Sequence, residues 1–310
     1  MIAFLFPGQG SQYAGFLHTL GGTSPHARIA STFEEASDVL HMNVLDLDSA
    51  DTLRSTIAVQ LGLFVAGVAT VRALRDEGIV PDAVAGLSVG AYGAAVAANA
   101  ISFDDALRLL QLRAQLMERA YPQGYGMLAM SGLGEREVDA VIAGTHAKAA
   151  FIANLNAPRQ IVVAGADNDL ELVRQAALRA GARKAERLAV SVPSHCVLLD
   201  SASRELTEAA SKIAFNAPSI PYIGNRGARP LRQAEAVRLD LATNLRYPVR
   251  WHDSTIVLSE LGMQVFVEMP PGRTLTQLAD DALPGIAKVA VEQTSISSAA
   301  ALIRSRAAGC

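Results

Sequence analysis

Two short stretches carry residues able to make and break an acyl bond. Gly86–Gly90 (GLSVG) sets a serine among small residues in the G-x-S-x-G spacing, which lets the serine sit on a sharp strand-to-helix turn with its hydroxyl exposed. The apolar run before it and the alanine-rich stretch after it supply that strand and helix, and a helix N-terminus favours negative charge near Ser88. Ser88 is the candidate nucleophile, against the plainer reading of a glycine-rich helix start. A serine hydroxyl needs a base to take its proton. Of the six histidines, His195 in SVPSHCVLL fits best: a strand has just ended, Pro193 breaks the chain and Ser194 can cap a new helix, so the ring is expected in a first helical turn facing a cleft. His18, His26, His41 and His146 stand in polar or helix-start surroundings, and His252 follows Trp251, where packing is the simpler role.

A third stretch, IAFLFPGQGSQ, brackets Gln9 with Gly8 and Gly10 directly after an apolar run. As a dinucleotide loop it lacks the third glycine, because Tyr13 occupies that place. A tight turn, or a backbone amide aimed at a reaction, is left. A serine hydrolase would need an acid between the serine and the histidine, and Asp139, Asp167 and Asp169 stand there, though each reads more simply as a solvated helix-start residue. The histidines and cysteines are too dispersed for the short spacings of a metal site.

The elements that must position these residues come from a chain of 310 residues, 50% hydrophobic and 18% charged, with a formal net charge of −3. That composition fits a globular protein with one large domain and an insertion, or two domains. Scattered basic residues argue against nucleic acid. The run STIAVQLGLFVAGVATVRAL is interrupted by Gln60, and Arg54 and Arg72 flank only 17 residues, short of the ~20 that span a membrane comfortably, so it is expected as a buried core helix. Cys196 and Cys310 cannot form a disulfide framework, and no signal-peptide pattern opens the chain, so a cytoplasmic protein is expected.

Ile2 to Phe6 reads as a buried strand, and helical periodicity runs over Arg28 to Leu40, Ser55 to Glu77 and Asp104 to Arg119. From Met127 the order changes: strand to Ser131, helix Glu135 to Ala143, strands Ala150 to Asn154 and Gln160 to Ala164, helix Asp167 to Ala180, strand Lys184 to Ala189. That βαββαβ order is the ferredoxin-like split unit. QVFVEM and IAKVAV then read as late core strands. The expected fold is an α/β catalytic domain, residues 1–125 and 191–310, split by a small α+β domain at 126–190.

FPGQGSQ, GLSVG, Arg113 in LQLRAQLME, NAPRQIVVAG, VPSHC and PPGRTLTQL occur in the order found in malonyl-CoA:acyl-carrier-protein transacylases, and the chain resembles that family over essentially its whole length. The resemblance implies an α/β-hydrolase-like large domain with a ferredoxin-like insert. It implies a Ser88 nucleophile and a His195 base, the imidazole oriented by the backbone carbonyl of Asn244, where the family typically has glutamine. It also implies an oxyanion hole from the amides of Gln9 and Val89, and Arg113 paired bidentately with the free malonyl carboxylate. Leu87, Leu128, Asn156 and Ser194 are candidates for the acyl pocket. Leu87 departs from the family, which usually has histidine there. GLSVGAYGAA together with AYPQGYGM is most similar to the transacylase (epsilon) subunit of malonate decarboxylase. The implied substrate is malonyl-CoA, with coenzyme A as product. The implied partner is an acyl carrier protein, that of malonate decarboxylase by the finer resemblance, with no bound cofactor and no metal.

Overall fold

The computed structural model describes residues 1–22, 26–121, 123–292 and 294–309, a mixed α/β fold. Pro122 of AYPQGYGM and Cys310 lie outside the described residues. The first section runs β1 (Ile2–Phe6), α1 (Ala27–Leu40), α2 (Thr56–Asp76), β2 (Ala83–Gly86), α3 (Gly90–Ala97) and α4 (Phe103–Ala120). The middle section is β3 (Tyr125–Ser131), α5 (Glu135–Ala143), β4 (Ala150–Ala157), β5 (Gln160–Ala166), α6 (Asp167–Arg179) and β6 (Lys184–Arg187). The last is α7 (Asp200–Ala210), β7 (Tyr222–Ile223), β8 (Pro230–Leu231), α8 (Ala234–Thr243), α9 (Trp251–Glu260), β9 (Val265–Glu268), α10 (Thr274–Ala282), β10 (Ala287–Ala290) and α11 (Ile296–Ala308).

Six strands from the first and last sections form one sheet in the order β10-β9-β1-β2-β7-β8, parallel except for the β7–β8 pair. Its central strands are continuous apolar runs, as expected where helices cover both faces. Ala83, Val84, Ala85 and Phe4 are completely buried. By length and composition alone α2 could cross a membrane, but 89% of its most apolar window is packed inside the molecule. Ser55 caps it, accepting from the Ile57 amide at 3.1 Å.

The middle section makes an antiparallel sheet in the order β4-β5-β3-β6. Alternation divides its residues: Leu128, Met130, Leu155, Ile161 and Val163 pack under α5 and α6, while Met127, Ala153, Val162 and Ala164 turn to the other face. Met127 and Val162 of that second face line a cleft together with Gln9 and Ser88, which follow strands of the large sheet. Val249, just before α9, ties the two units, receiving the Leu155 amide and donating to Ala153, both at 2.9 Å. The last strand of this unit ends at Arg187, two residues before the expected Ala189, and the two-residue strands β7 and β8 carried no readable periodicity.

Beyond the parallel strands' carboxyl ends, the chain turns into loops or helices. Adjacent strands β1 and β2, with Phe6 opposite Gly86, therefore bring the Gln9 and Ser88 loops side by side. The approach is close enough to dictate glycine. A Cβ on Gly86 would lie 2.1 Å from the Gly90 carbonyl carbon, in the first turn of α3. We expect Gly86→Ala to cost about 3 kcal/mol or more in denaturant unfolding, at or beyond the usual range for overpacking. Gly285→Ala, where nothing lies within 4 Å, is expected to leave the midpoint unchanged.

Candidate active site

Ser88 sits between β2 and α3 at φ +58°, a left-handed conformation that a non-glycine residue adopts only when its surroundings over-determine it. The Leu87 amide donates to the Phe6 carbonyl at 3.0 Å, and Asn225 receives the Ser88 amide at 2.9 Å. This turn pushes the Ser88 hydroxyl into a cleft of about 250 Å³ between the large sheet's carboxyl edge and the face of the four-stranded sheet.

His195 Nε2 lies 2.7 Å from Ser88 Oγ, and His195 Nδ1 lies 2.7 Å from the Asn244 carbonyl oxygen. A carbonyl only accepts, so Nδ1 carries the proton and the Nε2 lone pair faces the serine hydroxyl. The ring is not in a helix's first turn, as the sequence leads one to expect. His195 has φ +63°, its amide donates to the Leu245 carbonyl at 2.7 Å, and a short 3₁₀ turn (Val197–Leu199) intervenes before α7. Ser194 caps nothing there and instead lines the cleft. None of Asp139, Asp167 and Asp169 reaches the imidazole. Asp167 pairs with Arg187, and Asp169 accepts the Ala149 amide at 2.6 Å.

Arg113 comes from α4 and is 1% exposed. Its Nη2 donates to Ser88 Oγ at 3.1 Å and to Asn244 Oδ1 at 3.4 Å, and its Nη1 donates to Gln60 Oε1. Its Nε has no partner, and no carboxylate pairs with it among the described residues. Gln60 is itself held by Met117, its Nε2 lying 3.5 Å from the thioether sulfur. A buried cation without a counter-ion is costly, and an anion placed beside the serine would offset that cost.

Gln9 and Val89 both line the cleft, and neither of their amides has an acceptor among the described residues. Gly8 allows this proximity, because a Cβ there would lie 2.6 Å from the Leu87 side chain and 3.0 Å from its carbonyl oxygen. Leu87, Asn156 and Ser194 line the cleft too. Leu128 does not: it is fully buried under α5 and α6, and its neighbours Met127 and Ala129 face the cleft instead, because successive strand residues point to opposite faces. Sequence reasoning missed Gln60 and Asn225. Gln60 had a signal, as a polar residue in an otherwise apolar helix; Asn225 had none. The chain offers no group of three or more His, Cys, Asp or Glu residues able to hold a metal among the described residues.

Burial pushes the His195 imidazole down to about 4, and the nearby Arg113 charge pushes in the same direction, against the Asn244 carbonyl bond. The folded value lies below the unfolded one near 6.5, so its contribution to stability is present above ~6.5 and is lost as pH falls toward 4. At neutral pH the ring is therefore an uncharged acceptor for the serine proton. Together, a hydroxyl, a neutral imidazole, two free amides and a buried guanidinium can support acyl transfer of a group carrying a second negative charge.

The acyl transferase domain family matches residues 3–304. The malonyl CoA-acyl carrier protein transacylase of Escherichia coli (strain K12) is 35% identical over 304 residues, spanning 96% of this chain and 98% of the relative. The solved transacylase of that name from Coxiella burnetii is 32% identical with a TM-score of 0.92, covering 98% of this chain and 97% of its own. A malonyl-transacylase solved in complex with its holo type II PKS acyl-carrier protein is 36% identical with a TM-score of 0.91, covering 96% of this chain and 98% of its own.

By NMR of ring-labelled protein, assigned with a His195→Gln variant, the His195 imidazole is expected to titrate near 4. In Arg113→Met the midpoint should move upward. A wild-type midpoint at ~6.5 would mean a solvated ring.

Proposed function

The chain belongs to the acyl transferase family, as an acyltransferase of the malonyl-CoA:acyl-carrier-protein S-malonyltransferase type, and from that premise we propose how its residues carry the malonyl group. Ser88 Oγ attacks the malonyl thioester carbon while His195 Nε2 takes the hydroxyl proton. The Gln9 and Val89 amides hold the resulting oxyanion. As the tetrahedral intermediate collapses, the carbon–sulfur bond breaks, coenzyme A leaves with the proton from His195, and a malonyl ester remains on Ser88. A carrier thiol, deprotonated by the same imidazole, then attacks that ester and returns the serine hydroxyl. The observation that carries this reading is Arg113: a buried guanidinium without a counter-ion among the described residues, 3.1 Å from the Ser88 hydroxyl, where the free carboxylate of a malonyl group would lie. Simple hydrolysis of an ester has no use for such a group.

The acceptor is an acyl carrier protein, as in fatty acid or polyketide synthesis, and the transacylase and polyketide names of the relatives support that choice over malonate decarboxylase. The decarboxylase reading rests only on local features: Leu87 in place of the usual histidine, the GLSVGAYGAA stretch, and the described part of AYPQGYGM. For the architecture we adopt the α/β-hydrolase-like reading of the six-stranded unit and the ferredoxin-like reading of the four-stranded one, on their strand orders.

Incubation with malonyl-CoA and rapid acid quench should leave one malonyl adduct on the Ser88 peptide. Chasing with a phosphopantetheine carrier of fatty acid synthesis should discharge it faster than chasing with a malonate decarboxylase carrier subunit. The reverse order would install the decarboxylase reading, and an unmodified peptide would remove the mechanism. Arg113→Ala should cut malonyl transfer by about 10- to 150-fold relative to acetyl transfer, the worth of one hydrogen bond to a charged group. Equal losses for the two acyl groups would mean that Arg113 does not read the carboxylate.

A further inference from the structure

Asn225, in the loop after β7, has no part in the mechanism above, yet its side chain grips the turn that carries the nucleophile. It is 3% exposed, its Oδ1 accepts the Ser88 amide at 2.9 Å and its Nδ2 donates to the Gly86 carbonyl at 2.8 Å. Backbone amides only donate and carbonyls only accept, so these two bonds fix the amide's orientation. They close over Leu87 from both sides and hold Ser88 in its left-handed conformation. Below them, the Asn225 amide donates to Asp240 Oδ1 at 3.0 Å, and Tyr222 donates to Asp240 Oδ2 at 2.8 Å. Asp240 belongs to α8 and stands one helical turn before Asn244, whose carbonyl orients His195.

We propose that Asn225 is a positioning residue for acyl transfer: anchored by the buried Asp240, its side-chain amide clamps the Ser88 turn and registers the hydroxyl against the His195 imidazole. This rests on Ser88 being the nucleophile. The clamp needs one acceptor and one donor on a planar fork, which only an amide presents at neutral pH. A carboxylate would keep the bond to the Ser88 amide but set a negative oxygen against the Gly86 carbonyl. It would satisfy both partners only when protonated.

Of the ionisable groups, Asp240 on α8 takes the Asn225 amide and Tyr222 on β7 bonds to Asp240, whose charge also bears on Tyr92 of α3. Arg113 and His195 meet the clamped Ser88, Arg226 is next in the chain, and the Arg250 amide donates to the Asn225 carbonyl. Asp240, raised by burial to about 6, would hold a new carboxyl beside it further toward the protonated form. The cations are turned elsewhere. Arg226 stacks on Tyr247, Arg250 pairs with Asp253 and Glu135, and Arg113 is engaged with Gln60, Ser88 and Asn244.

The test is the rate of Ser88 malonylation by rapid quench in full-length Asn225→Ala and Asn225→Asp. Asn225→Ala should lose about 10- to 100-fold in the acylation rate, as expected for stranding buried polar groups, with KM for malonyl-CoA within about twofold because Arg113 and the cleft walls remain. In wild type the rate should be flat above the His195 titration near 4. In Asn225→Asp it should instead fall as pH rises through the new carboxyl's titration, with activity recovered on the acid side. A wild-type pH profile in Asn225→Asp, or a loss in Asn225→Ala matched by an equal loss of folded protein, would overturn the proposal. A readout on wild type covers variants that do not fold: the Ser88 amide should be strongly protected from hydrogen exchange, and exchange as fast as in exposed loops would overturn the clamp. If wild-type Ser88 takes no malonyl group, the functional reading fails, and the clamp stands or falls on the exchange result.

Discussion

An arginine that is 1% exposed and has no carboxylate partner among the described residues is the constraint around which this cleft is arranged. Its charge has been taken out of water, so everything nearby must either satisfy it or tolerate it. Gln60 and Asn244 give it side-chain oxygens, Ser88 gives it a hydroxyl, and the Tyr92 ring lies 5.9 Å from it. The same charge bears on His195 and joins burial in keeping the imidazole neutral. In the proposed reaction the malonyl carboxylate pairs with Arg113 and lifts part of that suppression. The ring then becomes a stronger base once an acyl group with a second carboxylate is in place, which couples binding of the right acid to activation of the serine.

The second organising constraint is geometric. Gln9 follows β1, Ser88 follows β2 and Asn225 follows β7, so three neighbouring parallel strands deliver the turn, the proposed nucleophile and its proposed clamp to one edge of the sheet. β9, on the other side of β1, ends in the buried Glu268, which accepts from Leu275 and Thr276 and fixes the start of α10, one wall of the cleft. The remaining wall is the outer face of the four-stranded sheet. The four-stranded unit is tied to the large one through the Val249 backbone, while the 2.7 Å distances at the centre of the cleft, His195 to Ser88 and His195 to Asn244, are both set within the large unit.

What could be read from the sequence divides along the distance over which each feature is encoded. The Ser88 turn is local: its glycines, preceding strand and following helix all lie within about twenty residues, and the turn forms where that pattern puts it. The main helices likewise begin and end within two residues of where periodicity places them. Arg113 had a signal that composition hides, since it falls at helical spacing between Leu110 and Met117 on the buried stripe of α4, an unusual place for a charge with no acid three or four residues away to pair with it. Leu128 shows the opposite limit. Alternation establishes that Met127 and Leu128 face opposite ways, but nothing in the strand tells which side holds the cleft, and the answer came from α5 and α6 covering the Leu128 side.

Asn225 and Asn244 mark where local reading stops. Each acts on Ser88 from well over a hundred residues away, and each is a single asparagine in a loop or helix end, where asparagine is common for reasons of backbone conformation alone. Asn244 was reachable through the family resemblance, because a motif position carried it. Asn225 sits in no such motif, and its role exists only through the pairing of β2 with β7. The difference follows from what each residue supplies. To His195, Asn244 offers a main-chain carbonyl that any residue could provide, while its side chain meets Arg113 and the Ser88 carbonyl at a longer 3.4 Å. Asn225 acts through its side-chain amide in one orientation, satisfying a donor and an acceptor that the left-handed turn would otherwise leave buried without these partners.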